Sequence, residues 1–245
     1  MNRVLSVLGK WLARYLEKPH RAPTAATATP IEQLRACLQP ADVLLVEGNT
    51  RFSTAIKYLT QSTWSHAALY VGGDERACFV EVDTVDGVRS VGLQNFADMH
   101  TRICRPFRLS AEERRQVIDY ARKRISHQYD MRNIFDLARY LLPTPPVPSR
   151  YRRRMIALGS GDPSRAICST LIAQAFQSIR YPILPEVEQL PTQDENIREL
   201  FHIRHHSLFT PRDFDVSPYF AVIKPTLESG FDFHRIEWHE ASGKS

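Results

Sequence analysis

Three residues of this chain have the types that thiol chemistry needs: Cys168, His66 and Glu81. A cysteine attacks a carbonyl as its thiolate, it needs a base beside the sulfur, and the base needs a polar group to orient it. Cys168 lies in the stretch Ile167-Cys168-Ser169-Thr170-Leu171-Ile172-Ala173-Gln174-Ala175-Phe176. Its apolar residues Ile167, Leu171, Ile172, Ala175, Phe176 and Ile179 recur at helical spacing with one buried face. The turn-forming cluster Gly161-Asp162-Pro163-Ser164 stands ahead of it and predicts a helix start. Cys168 then falls in or near the first turn, where unpaired N–H groups and the positive end of the helix dipole favour a thiolate. Taken alone, the residue reads more readily as a small buried core position, since free cysteine is usually buried and inert.

Among nine histidines, His66 is the best placed base. It heads the apolar run His66-Ala67-Ala68-Leu69-Tyr70-Val71, which reads as a strand, and its period-2 neighbours are Ala68 and Tyr70. One strand later comes Cys78-Phe79-Val80-Glu81-Val82-Asp83. A glutamate inside such a run is costly to bury without a partner, and an imidazole on the neighbouring strand would be one. Asp83, on the same face, is the second choice. Alone, His66 reads as a satisfied core histidine and Glu81 as part of a solvated strand face; together with Cys168 they read as a thiol hydrolase triad.

The elements that must hold these residues follow from pattern. Thr29-Pro30-Ile31-Glu32 predicts a capped helix start with Thr29 as N-cap, and the helix runs to about Cys37. Val43-Leu44-Leu45-Val46 reads as a buried strand, Phe52, Ala55, Ile56 and Leu59 as a helix to about Thr60. A third strand is expected over residues 77–83, and the Asp86-Gly87 turn predicts a hairpin partner over 88–91. Residues 101–106 add a strand. Ser110-Ala111-Glu112-Glu113 is a capping box opening a helix with Val117, Ile118, Ala121 and Ile125 on one face. A further helix is expected over 132–142, then an irregular Pro/Arg/Gly-rich segment to Pro163. Beyond Tyr181-Pro182 the pattern weakens until a last strand at 219–223. The class is α+β: an antiparallel sheet with the cysteine helix packed on it.

The 245 residues suffice for one large domain with an appendage. Residues 1–30 read as an amphipathic helix followed by a flexible linker, and residues 31–245 as the catalytic domain. Val4, Leu5, Val7, Leu8, Trp11, Leu12, Tyr15 and Leu16 form a helical stripe interrupted by Lys10, too short and too charged to span a bilayer. Residues 1–18 therefore suit an anionic membrane surface, or else pack on their own domain or on a partner. The net charge of +5 favours anionic partners; the basic-aromatic interleaving of single-strand binders is missing, so no nucleic acid is expected. Cys37, Cys78, Cys104 and Cys168 form no CxxC pair, which argues against structural zinc and for reduced thiols in a cytoplasmic setting, on the cytosolic face of a membrane if residues 1–18 bind one. His202, His205 and His206 have no accompanying Cys or carboxylate pattern and read as exposed loop histidines, so no metal and no cofactor is expected. The run Arg150, Arg152, Arg153, Arg154 reads as a solvated face.

The order of these motifs carries a resemblance. Pro40-Ala41-Asp42-Val43-Leu44-Leu45 is followed by Trp64-Ser65-His66-Ala67-Ala68-Leu69-Tyr70-Val71, then Glu81, then Tyr129-Asp130, and finally Cys168-Ser169-Thr170-Leu171-Ile172 opening a helix. Over roughly residues 38–180 this resembles the circularly permuted NlpC/P60 papain-like enzymes, the YiiX/YebB-like group related to lecithin:retinol acyltransferase-like proteins, in which histidine and third residue precede the cysteine. The resemblance implies a permuted papain-like fold, a Cys168 nucleophile, a His66 base, a Glu81 orienter and acyl transfer through a thioacyl-enzyme. A cysteine hydrolase of amidase or peptidase type, acting on a small peptide or amino-acid amide, is the expectation. The alternatives are a lipid-directed acyltransferase or esterase on the same fold, and a catalytically silent membrane-surface binding module.

Overall fold

Strand β1 (Val43–Val46) is buried along its whole length because it runs in the middle of a six-stranded sheet. The computed structural model describes residues 28–83, 86–127, 167–189, 199–202 and 209–235. Around β1 lie β2 (His66–Tyr70), β3 (Phe79–Asp83), β4 (Gly87–Val91), β5 (Thr101–Pro106) and, near the C-terminus, β8 (Phe220–Ile223). Their order across the sheet is β4-β3-β2-β1-β5-β8, with every neighbouring pair antiparallel. A separate antiparallel ribbon joins β6 (Glu186–Gln189) to β7 (Glu199–His202).

The period-2 alternation of apolar residues loads both faces of the sheet. Val43, Leu45, Ala67, Leu69, Val80, Val82 and Val88 share one core with two helices. These helices lie over Ala111–Arg122 and Ile167–Gln177. Leu44, Val46, Ala68, Phe79 and Ile103 form the opposite core with Leu34 and with the 3-10 turn Leu93–Phe96. In chain order the helices are α1 (Ile31–Cys37), α2 (Arg51–Thr60), α3 (Ala111–Arg122), α4 (Ile167–Gln177), α5 (Pro211–Val216) and α6 (Pro225–Glu228). The result is an α+β architecture, an antiparallel sheet with helices packed on it.

Local signals explain most boundaries. The Ser110–Glu113 capping box opens α3, with both reciprocal bonds formed. Thr50 caps α2 by accepting the Ser53 N–H. Gly87, at φ +75°, makes the β3–β4 turn, a conformation that suits a residue without Cβ. Three expectations are corrected. The Thr29 cap does not form: Pro30, extended at ψ 136°, is the N-cap of α1 and makes no side-chain cap bond, so Thr29 falls outside the helix. The third strand begins at Phe79 rather than Ala77, because Ala77 N–H donates to the Asp74 carbonyl (2.8 Å) and is held in a turn. His202 ends a strand paired with Glu186 and is not a loop residue.

The C-terminal region contributes more than its sequence pattern suggested. Phe209, Phe214 and Phe220 are buried in the α3/α4 core. Asp215 of α5 accepts hydrogen bonds from Trp64 Nε1 (3.0 Å) and Arg102 Nη1 (2.6 Å), tying this region to the segment ahead of β2. The expected N-terminal helix over 1–18, the linker, the helix over 132–142, the arginine run, the Gly161–Ser164 cluster, Tyr129-Asp130, His205 and His206 all lie outside the described residues. Among the described residues no helix is long and apolar enough to cross a membrane.

Candidate active site

His66 is the first residue of β2, opposite Val46 at the end of β1. The preceding residue fixes this strand start. Ser65 N–H donates to the Val46 carbonyl (3.1 Å), and Ser65 Oγ accepts the Gly48 N–H (2.9 Å). The β2–β3 ladder is registered at Leu69↔Val80 and Tyr70↔Phe79. Continued in the same register it would set Ala68 opposite Glu81, so His66 reaches Glu81 along the diagonal, a distance long side chains span. Its Nε2 lies 2.7 Å from Glu81 Oε2. An ionised carboxylate only accepts, so Nε2 carries the proton, and Nδ1 is left for the sulfur.

Cys168 is the second residue of α4, which packs against β2 and β3. Its thiol is free and its side chain is buried. Ser169 Oγ donates to the Phe209 carbonyl (2.9 Å), anchoring this first turn to the C-terminal region. The Cys168 sulfur acts on the His66 imidazole both by charge and as a hydrogen-bond partner. The structure thus brings Cys168, His66 and Glu81 together.

Electrostatics couple the three. Burial pulls the His66 imidazolium down, but negative charge and a hydrogen bond at the Cys168 sulfur, joined by Glu81, outweigh it and push His66 up to about 10. The imidazole keeps 27% of its side-chain surface exposed, so solvent reaches the ring. Burial likewise pushes the Glu81 carboxyl up, and the hydrogen bonds and charges of His66 and Arg89 overcome it, holding Glu81 at about 2. The arrangement favours the imidazolium form of His66 beside an ionised Glu81.

Arg89 went unnoticed in the sequence. It sits directly across the hairpin from Glu81. Its Nε and Nη2 contact Glu81 Oε1 at 2.9 and 2.8 Å. A readable signal existed: the Asp86-Gly87 turn sets Asp83 opposite Gly87 and therefore Glu81 opposite Arg89. Asp83, the second choice as orienter, lies 3.2 Å from Arg89 Nη2 and accepts from the Asp86 N–H (2.8 Å).

Residues 37–140 match the family model of the "Permuted papain-like amidase enzyme, YaeF/YiiX, C92 family". The matched stretch includes His66 and Glu81 and ends before Cys168. Five solved chains are similar. One is the crystal structure of metalloprotein yiiX from Escherichia coli O157:H7, at 16% identity over 76% of this chain and 96% of that one, with a TM-score of 0.46. No curated protein matches the chain.

Proposed function

Taking as premise that the chain is a circularly permuted papain-like protein of the YaeF/YiiX kind, we propose that it is a cysteine hydrolase of amidase or peptidase type. In this reading Cys168 is the nucleophile, His66 the base and Glu81 the orienting carboxylate. The observation that supports it most is the place of one imidazole, bonded to the Glu81 carboxylate at 2.7 Å and to the Cys168 sulfur.

The Cys168 sulfur attacks the carbonyl carbon of a small peptide or amino-acid amide. The carbonyl oxygen becomes an oxyanion, for which the backbone N–H of Cys168 is a donor; first-turn N–H groups have no partner within the helix. The C–N bond breaks as His66 gives its Nδ1 proton to the leaving amine, and a thioester remains on Cys168. His66 then takes a proton from water, whose oxygen attacks the thioester. The carboxylic acid leaves and the sulfur regains its charge beside the imidazolium. Throughout, the Nε2–H bond to Glu81 keeps the ring in one tautomer and stabilises its cationic form.

An activated ester tests this without knowledge of the natural substrate. Brief exposure to p-nitrophenyl acetate, followed by peptide mass analysis, should find the acetyl group on Cys168. It should be absent in Cys168→Ala and formed far more slowly in His66→Ala. Acetylation spread over several thiols, or unchanged by His66→Ala, would overturn the proposal.

A further inference from the structure

We propose that Arg89 is a positioning residue of the triad, holding the Glu81 carboxylate in the one orientation that leaves Oε2 for His66. The inference takes the triad's role from the proposed hydrolase function, but its own ground is the geometry around Glu81.

A buried glutamate has three side-chain torsions and two equivalent oxygens, and one bond to an imidazole does not fix it. Here the two oxygens are divided. Oε2 meets His66 Nε2 at 2.7 Å, while Oε1 meets Arg89 Nε at 2.9 Å and Nη2 at 2.8 Å. Only 7% of the Glu81 side-chain surface is exposed, so water offers little alternative to Arg89. The guanidinium is fixed in turn: Nη2 also lies 3.2 Å from Asp83 Oδ2, and Nη1 lies 2.9 Å from Asp86 Oδ2. Three acceptors on β3 and its turn thereby hold one rigid fork, which a flexible ammonium could not match.

The charges alternate along this line: His66 from β2, Glu81 from β3, Arg89 from β4, and then Asp83 and Asp86 beyond it. Arg89 does not titrate in the range of protein work. It opposes protonation of Glu81 by hydrogen bond and by charge. The His66–Glu81 bond should therefore survive to lower pH with Arg89 than without it. A residue that merely braced the hairpin would not have this signature.

The experiment follows the hydrogen-bonded Nε2–H of His66 by NMR in the full-length, 15N-labelled chain as the pH is lowered, with iodoacetamide alkylation of Cys168 measured alongside at neutral pH. In Arg89→Gln the resonance should be lost roughly one pH unit or more above the pH at which the parent loses it. Alkylation of Cys168 should slow on the order of tenfold, the usual size of losing a partner that orients a functional group. Arg89→Lys, which keeps the charge and gives up the fork, should fall between the two, and it carries the same comparison if Arg89→Gln does not fold. A resonance lost at the parent's pH in either folded variant would overturn the proposal, whatever the change in melting temperature. If Cys168 in the parent reacts no faster than Cys37, the hydrolase reading fails, and the His66 titration still decides the role of Arg89.

Discussion

The two ends of the β1–β2 ladder each hold a buried carboxylate gripped by an arginine, yet the protein treats the two carboxylates in opposite ways. At the His66 end, Glu81 is bound by Arg89 and held at about 2 despite its burial. At the other end, Asp42 precedes β1 and takes Arg105 Nε at 2.9 Å, Arg105 Nη2 at 2.8 Å and the Gln39 N–H at 2.8 Å. There burial prevails over Arg105, and the Asp42 carboxyl sits above its ordinary 3.8. The difference lies in the third partner. Asp42 faces an arginine and a backbone amide, whereas Glu81 faces an arginine and an imidazole that carries a proton of its own. The Asp42 pair fastens α1, through a bond from Arg105 to the Cys37 carbonyl, onto the sheet. The Glu81 pair stabilises the charge of a neighbour. An arginine beside a buried carboxylate is thus a staple in one place and, with a histidine added, part of a line of paired charges in the other.

Matched substitutions give the largest expected separation. Glu81→Gln should reduce the rate of Cys168 acylation by p-nitrophenyl acetate by roughly 100-fold or more, the range typical of lost acid–base support. Asp42→Asn should leave that rate within about a factor of two. Equal losses in the two variants would mean that the two ends do not differ in kind.

Acid titration of stability comes next in size. Glu81 lies below its ordinary 4.5 in the folded chain, so its contribution is present above about pH 4.5 and lost as the pH falls towards 2. At about 1.4 kcal/mol per unit, the shift corresponds to about 3 kcal/mol. Asp42 carries the opposite sign: its ionised form is penalised by burial, and protonating it relieves that cost. Chemical denaturation between pH 7 and pH 2 should therefore give a flatter curve for Glu81→Gln than for the parent, and a steeper one for Asp42→Asn. Parallel curves for all three would contradict the electrostatic contrast.

The thiols sharpen the same comparison with a smaller effect. Burial raises Cys37, Cys78 and Cys104 above the ordinary thiol value, with nearby carboxylates adding to the rise in each. Arg105 beside Cys37 offsets this only in part. Among the described residues no histidine shifts any of these three thiols, whereas the Cys168 sulfur faces the His66 imidazole. Iodoacetamide at neutral pH should alkylate Cys168 about tenfold faster than any of them, and His66→Ala should remove the advantage. Equal labelling of all four cysteines would weaken the reactive-thiol reading directly.

How much of this was legible depends on whether the signal is local. His66 at a strand head, Glu81 inside an apolar strand and Cys168 on a helix with apolar residues at 3.6-residue spacing are each visible in a window of a few residues. So are the Ser110 capping box and the Asp86-Gly87 turn. Arg89 was not picked out, because its meaning lies in the hairpin register and not in its neighbours. Asp215, a partner of Trp64 151 residues away, has no local mark at all. The elements around it are a six-residue helix and a four-residue strand, too short for periodicity to show. Phe209, Phe214 and Phe220 enter the core singly, which is why the segments that carry them read as weak pattern and yet pack into the α3/α4 core.

The smallest expected effect concerns the end of the sheet remote from His66, where the chain enters the described fold through α1. Residues 1–18 carry an apolar stripe with Trp11 and Tyr15 and mainly basic polar positions, composition suited to a headgroup boundary. Residues 19–29 are rich in Ala, Thr and Pro, as a tether would be. If the Asp42–Arg105 staple and α1 already complete this end of the domain, the stripe is not needed to cover it. A chain beginning at residue 28 should then melt within about one degree of the full-length protein and acylate Cys168 at the same rate. It should also lose binding to vesicles containing phosphatidylserine, and the binding of the full-length chain should weaken as salt is raised from 0.05 to 0.5 M, roughly the range over which surface charges become screened. Aggregation of the shortened chain, or a fall of several degrees in its melting temperature, would show instead that residues 1–18 cover the domain, and that the end marked by Asp42 and Arg105 is a packing surface left incomplete without them.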